Sequence, residues 1–164
     1  MKVSLLFPPT WHPSQPYLSL PSLTGFLTQA GVNNVSQRDL GIELLDRVLT
    51  QSFAQNLYQQ LVAKQRGLER ERTGETGPGS AEQLARIIES LDRFPYLFER
   101  IELAKETLRG EGFYDIEAYR NSLFLIDKWL EVISSLYFPT RMTVVDNQFG
   151  DYSIYSSKDL VQAI

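Results

Sequence analysis

The sequence predicts an α/β protein that is mostly helical, in which the N-terminal portion of a Rossmann-like parallel sheet carries a large α-helical insertion. The apolar run Val3-Ser4-Leu5-Leu6-Phe7 is followed by two prolines, which is typical of a buried strand in a parallel sheet. A helical stripe and a glycine turn come next. Most charged side chains lie between Gly41 and Pro139, in segments with helical periodicity.

Residues 1–40 are predicted to form one strand–helix–strand unit. Behind the first strand, apolar side chains recur at helical spacing, and Ala30-Gly31 supplies a C-terminal stop; the stripe consists of Leu20, Leu23, Phe26, Leu27 and Ala30. A second, weaker strand lies within Val32–Asp39. This order is that of the first unit of an open α/β sheet with a right-handed crossover.

Residues 41–139 are predicted to form a helical insertion of four or five helices. The first stripe begins at Ile42, and a second group of apolar residues begins at Phe53 and continues toward Leu68. The stretch Thr73–Gly79 contains three glycines and a proline, so we expect little order there.

Three further helices complete the insertion. Ser80 and Gln83 have the spacing of a capping box at the start of the first, which Phe94-Pro95 is expected to break. A second helix spans Tyr96–Leu108 and stops at Gly110–Gly112. The longest stripe runs from Ile116 to Tyr137 and ends before Pro139.

Residues 140–164 are predicted to return toward the rest of the Rossmann-like domain. Met142–Val145 is a short β-branched segment, Asp146–Tyr155 is a polar and aromatic loop, and Ser156 begins a helix that the chain leaves unfinished. Because two or three strands cannot form a stable open sheet, we expect a truncated domain. Its missing strands would come from the C-terminal remainder of the chain or from a second copy, in a homodimer through the exposed sheet edges.

Composition excludes several classes of site. The 164 residues include no cysteine and a single histidine, His12, so this chain holds no disulfide, thiolate nucleophile or cysteine-ligated cluster. A net charge of −4 argues against a nucleic-acid partner. No apolar run is long enough for a membrane span, and no secretory leader is evident, which favours a cytoplasmic protein.

The loop between Pro8 and Tyr17 is the main candidate for ligand binding. It follows the carboxyl end of the first strand, where open α/β sheets bind ligands. Four prolines stiffen it, and the flat rings of Trp11 and Tyr17 suit a large planar ligand. The alternative is that these aromatic rings only pack against the helical region. Glycine-rich phosphate-binding motifs are absent from the sequence.

The remaining polar residues are better explained by structural roles than by catalysis or ligand binding. His12 has no acidic residue or second histidine near it in sequence, so we interpret it as a surface histidine rather than a ligand or base. Carboxylates at helical spacing beside arginines predict exposed ion pairs: Glu43 and Asp46 with Arg47, and Asp92, Glu99 and Glu102 with Arg93 and Arg100. Asp146 and Asp151 lie among aromatic residues in a loop that either lines a substrate entrance or simply packs.

The N-terminal residues resemble a known family. Lys2–Pro9, Pro16–Leu27, Ala30-Gly31 and Arg38–Leu40 together are similar to the start of radical S-adenosylmethionine enzymes with a cobalamin-binding domain. Among these, the chain resembles the Fe–S oxidoreductase group that includes anaerobic magnesium-protoporphyrin IX monomethyl ester cyclases. The likeness covers about the first 45 residues, and the helical middle resembles an insertion present in only some members.

The resemblance implies a parent enzyme that uses cobalamin, a 4Fe–4S cluster and S-adenosylmethionine for methyl transfer or cyclase-type radical chemistry on a large substrate. It implies that Pro8, Pro9, Thr10 and Trp11 line the cobalamin crevice, chiefly through backbone and ring surface. The D-x-H-x-x-G motif that ligates cobalt in methionine-synthase-like relatives is absent, so His12 receives no ligand role. The cluster and S-adenosylmethionine would bind outside this region, which alone would be inactive.

Two other hypotheses remain open. The helices could form a non-catalytic interaction module on an α/β scaffold, with no cofactor. A flavodoxin-like redox domain is a weaker alternative, because the loop after the first strand lacks a hydroxyl-rich and glycine-rich phosphate cradle.

Overall fold

The computed structural model describes residues 2–7, 18–71, 78–144 and 147–148. The described part is mostly helical and contains a small two-stranded parallel sheet, as the sequence predicts. Contacts divide the chain into an N-terminal unit, Met1–Val48, and a helical unit, Leu49–Ile164. None of the described helices is both long and apolar enough to cross a bilayer.

The described part of the N-terminal unit contains two strands and two helices. These are β1 (Val3–Phe7), α1 (Ser19–Gln29), β2 (Val35–Asp39) and α2 (Leu40–Val48). The strands are parallel, in register from Val3 opposite Val35 to Phe7 opposite Asp39. The predicted strand–helix–strand order is therefore confirmed for this unit.

The end of α1 is the predicted glycine turn. Gly31 adopts a φ of +84°, a left-handed conformation that favours glycine. The Ala30 amide donates to the Phe26 carbonyl, and the Val32 amide donates to the Leu27 carbonyl at 2.9 Å. These bonds satisfy carbonyls that the last turn of a helix leaves free.

Burial in the N-terminal unit is less complete than the sequence predicts. Within β1, Val3, Leu5 and Phe7 are half-buried, whereas Leu6 is 57% exposed, so β1 is not covered on both faces. In α1, Leu20 is buried but Phe26 is 68% exposed. The reason is geometric, because a sheet of two strands contacts only one face of the helix and is itself covered on one side.

In the described residues of the helical unit there are four α-helices. They are α3 (Gln51–Glu71), α4 (Pro78–Phe98), α5 (Ile101–Arg109) and α6 (Ile116–Leu136), with a 3-10 turn at Glu111–Tyr114 before α6. The bounds of α6 confirm the longest predicted stripe. Asp115 caps its start, since the Asp115 carboxylate accepts hydrogen bonds from the Glu117 and Ala118 amides at 2.9 and 3.1 Å.

Aromatic side chains join three of these helices in one core. The Phe94 ring of α4 lies 5.1 Å from the Tyr58 ring of α3 and 5.4 Å from the Trp129 ring of α6, between ring centroids. Trp129 and Ile126 are fully buried. Stacked and tilted rings at these separations contribute both buried area and specific geometry. The helical unit therefore has a core of its own.

The predicted bounds of α4 were wrong at both ends. The helix begins at Pro78, a residue type favoured in the first turn, so Ser80 lies inside it and is not a cap. Pro95 does not break the helix, which continues to Phe98 because Phe94 and Leu97 are held in the core. Residues 73–77 of the glycine-rich stretch lie outside the described residues, and its last two residues, Pro78 and Gly79, belong to α4.

The segment after α6 forms two very short strands, β3 (Arg141–Met142) and β4 (Asn147–Gln148), which pair with each other in antiparallel orientation. Within the described residues neither strand joins the β1–β2 sheet. Of the predicted strand Met142–Val145, Met142 belongs to β3, Thr143 and Val144 do not, and Val145 lies outside the described residues. The segment is tied to α6 because the Met142 amide donates to the Ser134 hydroxyl at 2.8 Å. The helix predicted from Ser156 lies outside the described residues.

Candidate functional site

The carboxyl edge of the β1–β2 pair is the predicted cofactor site. Phe7 and Asp39 are opposite each other in the register, so both strands end at this edge. The predicted cofactor residues Pro8, Pro9, Thr10 and Trp11, together with His12, lie outside the described residues. The described chain resumes at Leu18, the residue before α1.

The charged side chains at the end of β2 are engaged within the protein. The Asp39 carboxylate accepts hydrogen bonds from the Gly41 and Ile42 amides at 2.9 and 3.1 Å, which caps the start of α2. The Arg38 guanidinium pairs with the Glu43 carboxylate through two hydrogen bonds. Glu43 thus belongs to an exposed ion pair, as the sequence predicts, and its partner here is Arg38.

The bidentate pair shifts the titration of both groups. The hydrogen bond from Arg38 lowers the pKa of the Glu43 carboxyl below its ordinary value, and the same bond raises the pKa of the Arg38 guanidinium. The two side chains are 58% and 42% exposed, so solvent screens the attraction. Neither group is therefore poised for acid–base chemistry near neutral pH.

The start of α1 is the second feature beside this edge. Leu18 occupies its N-cap position and offers no side-chain hydrogen bond, and the first turn contains no acidic residue. The first amides of a helix carry partial positive charge and accept anions or polar ligand groups. The described residues thus offer no acidic side chain in the first turn of α1.

No metal centre is formed by the part of the chain that the structure describes, since it contains no group of three or more His, Cys, Asp or Glu side chains with suitable placement. The polar and aromatic cluster around Asp146 and Asp151 lies outside that part. The described edge of the sheet thus provides backbone and helix-end surface and no assembled ligand set.

A second candidate site, which the sequence did not predict, is a groove between α4 and α6. Its charged part encloses a cavity of about 220 Å³, and its lining includes Ser90, Arg93, Lys128 and Glu131. A more apolar part of about 420 Å³ shares Arg93 and Lys128. We call this combined surface the α4–α6 groove.

An ion-pair chain crosses the groove. Arg93 on α4 bonds Glu89 at 2.5 Å and lies 3.7 Å from the Glu131 carboxylate on α6, which also pairs with Lys128 at 2.7 Å. Arg93 thus forms an exposed ion pair as predicted, but with Glu89 and Glu131 and not with the carboxylates expected from sequence. Single pairs of this kind contribute little to stability.

The other predicted carboxylates have structural roles. Arg100 pairs with Glu99 at 3.1 Å and stacks on the Tyr96 ring. Glu102 accepts a hydrogen bond from the Gln51 amide at 3.0 Å and so satisfies the start of α3. These contacts agree with the interpretation of this region as ion-paired helix surface.

The α4–α6 groove was missed for a simple reason. Arg93 and Lys128 lie far apart in sequence, and each alone is indistinguishable from an ordinary helix-surface charge. The one available sequence feature was Ser90, a small polar residue within the apolar stripe of α4.

The two candidate sites belong to different units of the chain. The candidate site at the sheet edge is assigned from the strand topology, and the candidate site in the α4–α6 groove is assigned from the positions of its side chains. Comparison of the chain with models of protein families, with curated proteins and with solved structures finds no match.

Proposed function

We propose that this chain is the N-terminal, cobalamin-binding-type region of a radical S-adenosylmethionine Fe–S oxidoreductase. The observation that carries the proposal is the parallel β1–β2 pair, whose carboxyl ends meet at one edge beside the start of α1. In open α/β sheets this edge is where cofactors bind. The N-terminal unit then corresponds to the first strand–helix–strand portion of a Rossmann-like domain.

The exposure of the N-terminal unit supports a larger sheet. Leu6 of β1 and Phe26 of α1 are both more than half exposed, although a flanking helix and an interior strand normally bury such side chains. The C-terminal remainder of the parent chain is the proposed cover. A homodimer through the sheet edges is the alternative cover.

The described residues fit a supporting role toward cobalamin. Arg38 is paired with Glu43, and Asp39 accepts hydrogen bonds from amides of α2, so we assign neither side chain to cofactor binding. Contact would come from the backbone and rings of Pro8, Pro9, Thr10 and Trp11 and from the amides at the start of α1. Cobalamin, when bound, supplies methyl transfer or assists radical chemistry.

The other cofactors of the parent enzyme are assigned outside this chain. With no cysteine in its 164 residues, the chain holds no thiolate for a 4Fe–4S cluster, and S-adenosylmethionine would bind at that cluster. We therefore propose that the reaction, methyl transfer or cyclase-type radical chemistry, takes place elsewhere in the parent. This chain alone is expected to be inactive.

A second candidate function is a non-catalytic interaction module. It is favoured by the core of the helical unit, in which Phe94, Ile126 and Trp129 are buried. In that case the N-terminal unit is a scaffold and takes no corrin. The two proposals differ in cobalamin uptake, which can be measured.

The test is retention of hydroxocobalamin by the chain through gel filtration, followed by its visible corrin band. Retention is expected for the wild type and for Tyr114→Ala, a control that removes an aromatic ring that is 89% exposed in the helical unit. Trp11→Ala should retain less. Absence of a corrin band from the wild type favours the interaction module. A coding sequence whose continuation lacks C-x-x-x-C-x-x-C overturns the radical-enzyme assignment.

A further inference from the structure

The α4–α6 groove lies between two antiparallel helices. Near the start of α4, the Gln83 amide donates to the Ser135 and Leu136 carbonyls at the end of α6, at 3.3 Å each. At the other end, Leu97 and Phe124 line the same groove. From Phe124 to Ser135 the helix rises about 16 Å, which sets the length of the groove.

Ser90 is a buried polar residue that α4 contributes to the groove. It is 7% exposed and lines the charged part. Nothing in the described residues hydrogen-bonds to its hydroxyl, whereas the Ser134 and Ser135 hydroxyls each donate to a carbonyl of α6 at 2.7 Å. The Ser90 hydroxyl is therefore available to a molecule in the groove.

Charge around the groove favours an anion. Its lining has four basic side chains, Arg86, Arg93, Lys128 and Arg141, against two acidic ones. Both carboxylates, Glu89 and Glu131, are already held by the ion-pair chain, so their charge is offset locally. A phosphate or carboxylate group can accept hydrogen bonds from several of these basic side chains.

Arg141 is the basic group with the greatest freedom to bind a ligand. Its side chain is exposed, and it makes no ion pair with any described carboxylate. Arg86, in comparison, bonds Glu82 at 2.8 Å and lies over the Phe138 ring. Arg141 follows α6 directly in β3, at the same end of the groove as Ser134 and Ser135.

The other half of the groove is apolar. Tyr96, Leu97 and Phe124 line it, and the rings of Tyr96 and Phe124 are 54% and 59% exposed. The Lys128 ammonium lies 5.7 Å from the centre of the Phe124 ring, at the junction of the two halves. Exposed rings in a concave surface are typical of ligand-binding sites.

We propose that the α4–α6 groove binds an elongated organic anion. Its phosphate or carboxylate group contacts Ser90, Arg93 and Arg141, and its apolar or aromatic body lies along Tyr96 and Phe124. The site belongs to the helical unit and is independent of the proposed cofactor edge. A ligand of this class matches both the excess positive charge and the ring-lined extension.

The experiment is a titration of the full chain, monitored by its amide chemical shifts. Three probes that share a phenyl ring are compared: phenyl phosphate, phenylacetate and uncharged benzyl alcohol. Shifts are expected at Ser90, Arg93 and Phe124 with an anionic probe and much less with benzyl alcohol. Stronger binding of phenyl phosphate than of phenylacetate assigns a phosphate ligand, and the reverse order assigns a carboxylate. Equal binding of all three probes, or shifts confined to other surfaces, overturns the proposal.

Variants separate recognition from general charge effects. Arg141→Gln is expected to lower the affinity for the anionic probe roughly fivefold to tenfold, because one charged contact is lost. Ser90→Ala should also weaken it, with the fold checked by circular dichroism. Arg66→Gln is the matched control, since Arg66 is an exposed arginine of α3 outside the groove lining. Equal affinities of the Arg141 and Arg66 variants contradict the proposed site.

Discussion

Two isoleucines of α6 allow the core of the helical unit to be tested with one kind of substitution. Ile126 is fully buried, whereas Ile116, at the start of the same helix, is 69% exposed. Ile126→Ala removes three carbon atoms from the core, a transfer term of about 2.4 kcal/mol. The cavity left behind raises the expected loss in free energy of unfolding to about 3 to 4 kcal/mol.

The matched change at the exposed position should be small. Ile116→Ala loses little buried area, and alanine is the better helix former, so we expect a change within about 0.5 kcal/mol. Urea unfolding followed by Trp129 fluorescence, in a Trp11→Phe background, reports the helical unit specifically. The slope of free energy against urea should be similar in both variants if the folded unit is preserved.

A comparable loss in both variants would refute the reasoning. It would mean that the core described around Trp129 and Ile126 does not carry the stability of this unit. A large loss only at Ile126 would support the placement of α6 at its centre.

Three further predictions concern polar contacts. Asp115→Ala should destabilise the helical unit by about 1 kcal/mol in urea unfolding because α6 loses its cap, while Asp115→Asn should retain most of it. Arg38→Gln should return the pKa of the Glu43 carboxyl toward its ordinary value, which carboxyl carbon chemical shifts measure. Because folding lowers this pKa, the stabilisation from the ion pair is present above the pKa of the unfolded state. It is lost as the pH falls through the pKa of the folded state. Ser134→Ala should speed hydrogen exchange at the Met142 amide, which loses its acceptor.

Each of these has a clear contrary result. Equal stability of the two Asp115 variants and the wild type would mean that the cap contributes nothing. An unchanged pKa of Glu43 in Arg38→Gln would exclude the hydrogen bond as its cause. Unaltered exchange at Met142 would show that β3 is held to α6 by other contacts.

Much of the fold was accessible from sequence because local signals and packing agree. The long stripe beginning at Ile116 repeats at helical spacing, with an aspartate before it and a proline after it, and the structure places α6 there. Gly31 ends α1 for the reason expected, since the turn requires a positive φ. Both features are determined within a few residues of chain.

Where tertiary packing overrides local preference, sequence gave the wrong bounds. Pro95 is a helix breaker in isolation, yet Phe94 and Leu97 keep the last turn of α4 in the core. The apolar stripe that includes Phe26 predicts a buried face of α1, but the two-stranded sheet covers only part of this helix. The α4–α6 groove depends on two helices meeting, which no local pattern encodes.

The hydrogen bonds of Gln83 have a consequence for helix sliding. Its buried amide donates to carbonyls on the last turn of α6 that the helix itself cannot satisfy. A slip of α4 along α6 by one turn, about 5.4 Å, would move the amide away from those acceptors and leave three polar groups unpaired in the interior. The hydrogen bonds of Gln83 thus fix the alignment of α4 along α6, and with it the spacing between Arg93 and Glu131.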